Sequence, residues 1–135
     1  LLHELGHKFV AQKYGYVAEF RSFDLMLVLA IAMSFFGFVF AAPGAVMYHG
    51  AYNKVKTGKI AAMGPIVNIL LAFLFLLIPG VIGQYGFRIN SWLALFNLIP
   101  VAIFDGKKVW DWNKTIYFLL ALTSIGLVFI IPKWL

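Results

Sequence analysis

His3-Glu4-Leu5-Gly6-His7 places two imidazoles and a carboxylate within five residues at the start of the chain. On a helix, positions i and i+4 share a face about one turn apart. Both rings can then reach one Zn²⁺ while Glu4 stands beside the open coordination position. Such an arrangement activates water, because the metal acidifies it and the carboxylate takes the proton. A catalytic zinc takes three protein ligands, so one more donor must come from elsewhere. The chain has no cysteine, which removes thiolate ligands and disulfides together and leaves His, Asp and Glu. The longer soluble-protease pattern would need Gly at position 10 and His at 13, where this chain has Val10 and Lys13.

The elements that must carry these residues are apolar. Of 135 residues, 63% are hydrophobic and only 12% charged. A soluble domain has about 45 to 50% apolar residues and about a quarter charged. The surrounding solvent is therefore expected to be lipid. A net charge of +6 could suggest nucleic acid, but the basic residues fall in short stretches between apolar runs and form no stripe with stacking aromatics. Nucleic acid is excluded as a partner and membrane orientation explains the charge. His3 lies too close to the first residue for a full helical turn to precede it, so the domain is expected to be N-terminally truncated, with natural sequence upstream.

Along the chain, residues 8–24 are polar and mark where the first helix leaves the membrane. Residues 25–47 form an apolar run interrupted by Gly37, Pro43 and Gly44. It can cross once, or it can enter over 25–36 and return as an extended segment over 38–48, which lipid tolerates only if protein buries it. Residues 60–82 read as a span that carries Asn68. Residues 91–104 are too short for a straight span and contain Asn97 and Pro100 before Asp105-Gly106, so they read as a broken segment of the kind that forms sites. Residues 115–131 read as the last helix. No internal repeat or linker divides residues 1–135, which form one domain.

Asp105 is the preferred third ligand over Glu19, Asp24 and Asp111, on depth and context, although an Asp-Gly pair can also simply end a helix. This choice tests the topology. If 25–47 crosses fully, Asp105 emerges on the face opposite the histidines and the basic residues divide five against six. If that run returns to its own side, Asp105 rejoins the histidines. Lys8, Lys13, Arg21, Lys54, Lys56, Lys59, Lys107, Lys108 and Lys114 then lie on one face, with only Arg88 and Lys133 on the other. That bias follows the positive-inside rule and puts the site toward the cytoplasmic side. The expectation is an all-α, multi-pass membrane protein, a polytopic transmembrane helix bundle with a re-entrant hairpin. Trp92, Trp110, Trp112 and Trp134 are expected in interfacial aromatic belts, and His49 in a polar interfacial turn.

Three motifs in order, His3-Glu4-Leu5-Gly6-His7, Gly64-Pro65-Ile66-Val67-Asn68, and Asn97-Leu98-Ile99-Pro100 running to Asp105-Gly106, resemble the site-2 protease family of intramembrane zinc metalloproteases. The likeness covers nearly the whole chain, with Ala42-Pro43-Gly44-Ala45 similar to the region that forms a membrane-embedded hairpin in the family. One departure is Leu98, where the family often has Pro. The resemblance implies Zn²⁺ held by His3, His7 and Asp105, with Glu4 as the catalytic carboxylate. It implies further that Asn68 and Asn97 assist substrate or transition-state binding, and that the substrate is a transmembrane protein or peptide in the bilayer. On its residues alone, Asn68 could equally hydrogen-bond a neighbouring helix. The extended return segment could accept an uncoiled substrate by strand addition.

Two other functions fit parts of the pattern. A non-catalytic scaffold of the same fold would be free to lose Glu4, yet Glu4 is present. A metal carrier would use broken helices, but it has no use for a carboxylate between two ligands, and its ligands would line a through-path rather than gather toward one face.

Overall fold

The computed structural model describes residues 1–22, 44–49, 52–101 and 104–131. Helix α1 spans Leu2–Lys13 and ends in a turn at Gly15, where φ is +76°. Strand β1, Val17–Ser22, follows and pairs antiparallel with β2, Gly44–His49, in a register running from Val17 opposite His49 to Ser22 opposite Gly44. Four more helices complete the described chain: α2, Lys54–Leu76; α3, Val81–Asn97; α4, Asp105–Trp112; and α5, Lys114–Phe129.

The fold is mostly helical, with five helices among the described residues and one two-stranded sheet that the all-α expectation lacks. One helix among these residues, α2 at 23 residues, is long and apolar enough to cross a membrane. Helix α5 is apolar but shorter. Among the described residues, helix length and composition mark one candidate crossing and do not by themselves support the expected multi-pass bundle. The extended return segment corresponds in part to β2, while the descending arm at 25–36 and positions 38–43, including Ala42 and Pro43, lie outside the described residues, as do Asp24, Lys133 and Trp134.

The segment read as starting at residue 91 is helical from Val81. Three of its polar residues, Asn90, Ser91 and Asn97, bond back to carbonyls of their own helix. Asn90 Nδ2 donates to the Gly86 carbonyl at 2.8 Å and Ser91 Oγ to Phe87 at 2.7 Å. Side chains that bond back one turn let a helix carry polar residues through apolar surroundings, which residue polarity alone does not reveal.

Helix α2 organises the rest. Asn53 caps it, its Oδ1 accepting from the Lys56 amide at 3.0 Å. On its N-terminal half, Ile60 packs with Ala11 of α1 and Ala18 of β1, and Ala61 and Ala62 pack with Val109 of α4. The Lys56 ammonium lies 5.5 Å from the rings of both Tyr14 and Tyr16, tying the start of α2 to the end of α1. On its C-terminal half, Ile69 and Ala72 join Phe87 and Ala94 of α3 and Leu127 of α5. Helices α1 and α4 thus meet the same half of α2, although some ninety residues separate them in sequence.

One further reading changes. Asp105 opens α4 in its first turn rather than closing a helix. Trp112 is half-buried against Gly58 of α2, and Trp110 meets Tyr117 and Phe118 edge to face, contacts that leave the aromatic-belt expectation untested.

Candidate metal centre

Helix α1 sets His3 and His7 one turn apart, with ring centroids 4.7 Å apart and planes at 88°. His7 is buried, and its Nδ1 donates to the Ile60 carbonyl of α2 at 2.7 Å. That bond places the ring proton on Nδ1 and turns the Nε2 lone pair inward. His3 Nε2 lies 3.1 Å from His7 Nε2. Asp105 completes the triangle: its Oδ2 is 3.3 Å from His3 Nε2 and 3.0 Å from His7 Nε2.

The size of this triangle tests its fitness for zinc. Ligand bonds of about 2.0 to 2.1 Å in tetrahedral geometry put neighbouring donor atoms about 3.3 to 3.4 Å apart. The three edges here come within a few tenths of an ångström of that, and the donor set of two imidazole nitrogens and a carboxylate oxygen suits a catalytic zinc. Among the described residues, this is the one cluster of three His, Asp or Glu side chains able to share a metal ion.

Asp105 is anchored electrostatically. Burial works against its ionisation, yet when the histidine Nε2 atoms carry protons in place of a metal, hydrogen bonds from His3 and His7, the His7 charge and Lys108 outweigh that and hold its carboxyl well below the usual carboxylate range. Lys108 Nζ, one turn on, lies 3.6 Å from Oδ1, and the position of Asp105 in the first turn of α4 favours negative charge there.

Gly64 makes room for the whole cluster. A methyl group there would sit 2.5 Å from Nε2 of both histidines, so α2 must present bare backbone where α1 crosses it. Pro65, next in line, removes the N–H that would bond the Ala61 carbonyl and loosens the ladder at this crossing.

The remaining candidates fall into distinct places. Glu4 is half-buried beside His3, and its charge acts on His7. Asn68 is buried, its carboxamide nitrogen 3.0 Å from His3 Nδ1. Asn97 is half-buried, and its Nδ2 donates to the Leu93 carbonyl of its own helix at 2.9 Å, so the described bonding does not join it to the triangle. His49 is exposed at the end of β2 and stands outside the cluster. Of the other acids, Asp111 pairs with Lys107 and Glu19 is exposed on β1.

Three contributors escape a reading of side-chain chemistry: the Ile60 carbonyl, the missing side chain of Gly64, and Lys108. The Gly64-Pro65 pair was the available signal for the second. A backbone carbonyl leaves no mark in residue types, and Lys108 is one of several lysines near Asp105.

No protein-family profile and no solved structure matches the chain. A protein from Methanocaldococcus jannaschii named "Putative zinc metalloprotease" is 41% identical over 145 residues, an alignment that takes in 99% of this chain and 76% of the relative. Identity at that level over most of both chains shows common descent, and the chain belongs to the same family as this relative, the one named "Putative zinc metalloprotease".

Proposed function

We propose that residues 1–135 form the transmembrane core domain of an intramembrane zinc metalloprotease of the site-2 type, which hydrolyses peptide bonds of transmembrane protein or peptide substrates. The observation that carries this reading is the triangle of His3, His7 and Asp105 donor atoms, 3.0 to 3.3 Å on a side, with Glu4 adjacent. The name of the archaeal relative supports zinc and proteolysis. The apolar length of α2 and the composition of the chain support a site within lipid. We place the protein in the membrane with several passes and its site toward the cytoplasmic side, on the strength of the lysine-rich ends of α1, α2 and α4.

His3, His7 and Asp105 would hold the ion, which when bound acidifies water and polarises a carbonyl. Glu4 is the group that takes a proton and returns it to the leaving amine. Asp105 is held as a carboxylate by Lys108, whose ammonium lies 3.6 Å from Oδ1. Close packing of α1 and α4 on α2 excludes bulk water from the rear of the site. A transmembrane helix hides its carbonyls in its own hydrogen bonds, so a substrate must uncoil locally before attack.

The test is hydrolysis of a transmembrane peptide by the purified chain in detergent or liposomes, with bound zinc measured in parallel. Glu4→Gln is expected to lower the rate by about 10² to 10⁴-fold with zinc retained. Undiminished hydrolysis by this variant would overturn the role of Glu4. Zinc bound by the wild type with no hydrolysis of any transmembrane peptide would favour a metal carrier.

A further inference from the structure

The two histidines of the triangle are held differently. His7 Nδ1 is committed to the backbone carbonyl of Ile60 at 2.7 Å, an acceptor that no side-chain substitution removes. His3 Nδ1 faces a side chain, the carboxamide of Asn68, whose Nδ2 is placed 3.0 Å away across the crossing of α1 and α2, with Oδ1 exchanged for it by a half-turn of the amide. Asn68 is 2% exposed, one turn beyond Gly64 on α2.

A carboxamide can turn either its oxygen or its NH₂ toward an imidazole, and the choice dictates where the ring carries its proton. If NH₂ donates to Nδ1, the neutral ring holds its proton on Nε2, aimed at Asp105 and His7, and that nitrogen has no lone pair for a metal. If Oδ1 accepts from Nδ1–H, the Nε2 lone pair is free. We propose that Asn68 is a positioning residue for the metal centre, whose carboxamide oxygen fixes the ring and tautomer of His3 as the Ile60 carbonyl fixes His7. This rests on the zinc reading above and replaces direct substrate contact as the role of Asn68. Partners of this kind orient metal-binding histidines, and their loss typically costs 10 to 100-fold in metal affinity.

Two variants separate orientation from packing. Asn68→Leu keeps the volume and removes the acceptor; Asn68→Asp keeps an acceptor and loses the donor. Zinc affinity of the purified full chain, read by chelator competition, is expected to fall about 10 to 100-fold in Asn68→Leu and to stay close to wild type in Asn68→Asp. Co²⁺ loaded into the same proteins reports the ligand geometry by its visible absorption. Wild-type affinity in Asn68→Leu, or equal losses in both variants, would overturn the proposal and leave Asn68 as packing. Nitrogen-15 spectra of the zinc-loaded wild type, which need no variant to fold, are expected to show His3 Nδ1 protonated; an unprotonated Nδ1 would overturn it as well. A wild-type chain that binds no zinc would instead overturn the metal reading on which this one stands.

Discussion

The two halves of α2 are built to different rules. From Lys54 to Asn68 the buried residues are Gly58, Ile60, Ala61, Ala62, Gly64, Pro65 and Asn68, most of them small. Beyond Asn68, Ile69 and Ala72 are buried, but Leu70, Phe73 and Leu74 are 45 to 57% exposed. In an apolar solvent, burying a large side chain gains little, and helices associate by close approach of small ones and by hydrogen bonds between them. The first half follows that rule and brings α1 and α4 close enough for donor atoms 3 Å apart. The second half packs against α3 and α5 on one side and offers the other to its surroundings. Precision in this helix is therefore concentrated where the candidate metal ligands converge.

This contrast predicts a gradient of mutational effects. Gly64→Ala is expected to be the most damaging to the site, because the new methyl meets both imidazoles. Zinc affinity should fall by about 100-fold or more, beyond the loss of one orienting partner. An affinity within a few-fold of wild type would show that α1 can withdraw without opening the triangle. Gly58→Ala places a methyl against the Trp112 side chain, and overpacking of that kind costs about 1 to 3 kcal/mol. Thermal unfolding should report that loss, with some weakening of zinc as α4 carries Asp105 away. A variant as stable as wild type would mean that Trp112 yields easily and that the crossing of α2 and α4 is not tightly specified.

Smaller effects test the boundaries of the contrast. Asn53→Ala removes the oxygen that accepts from the Lys56 amide and should cost about 1 kcal/mol in stability, leaving zinc affinity unchanged. Leu74→Ala, at an exposed position on the second half, should change stability by less than about 0.5 kcal/mol and zinc affinity not at all. A large response at Leu74 would show that this half also packs against something that demands its shape.

Much of the centre was legible beforehand because its parts have unusual chemistry. A His-x-x-x-His pair around a glutamate stands out in a chain with three histidines and five acidic residues, and Asp105 could be preferred on depth and context. The apolar runs near α2 and α5 were legible as helices as well, since each is a long, largely apolar stretch. The start of α3 was not, because Gln84, Arg88 and Asn90 read as a loop until their helical environment is known. Nor was the pairing of β1 with β2, since a short strand in a polar stretch gains its partner only from the fold. Asn97 shared a motif with Asp105, yet its amide turned to Leu93, because proximity in sequence does not decide which carbonyl a side chain meets.

Residue types and spacing by themselves determined which groups could bind zinc, which could move a proton, and that the chain is unusually apolar, since these follow from functional groups and composition. Only the tertiary structure decided that α1 and α4 approach one face of α2, that Gly64 leaves space for two imidazoles, and that Asn68 and Ile60 stand behind them. Those contacts join residues more than fifty positions apart, and their distances depend on how helices cross, which no single stretch of sequence encodes.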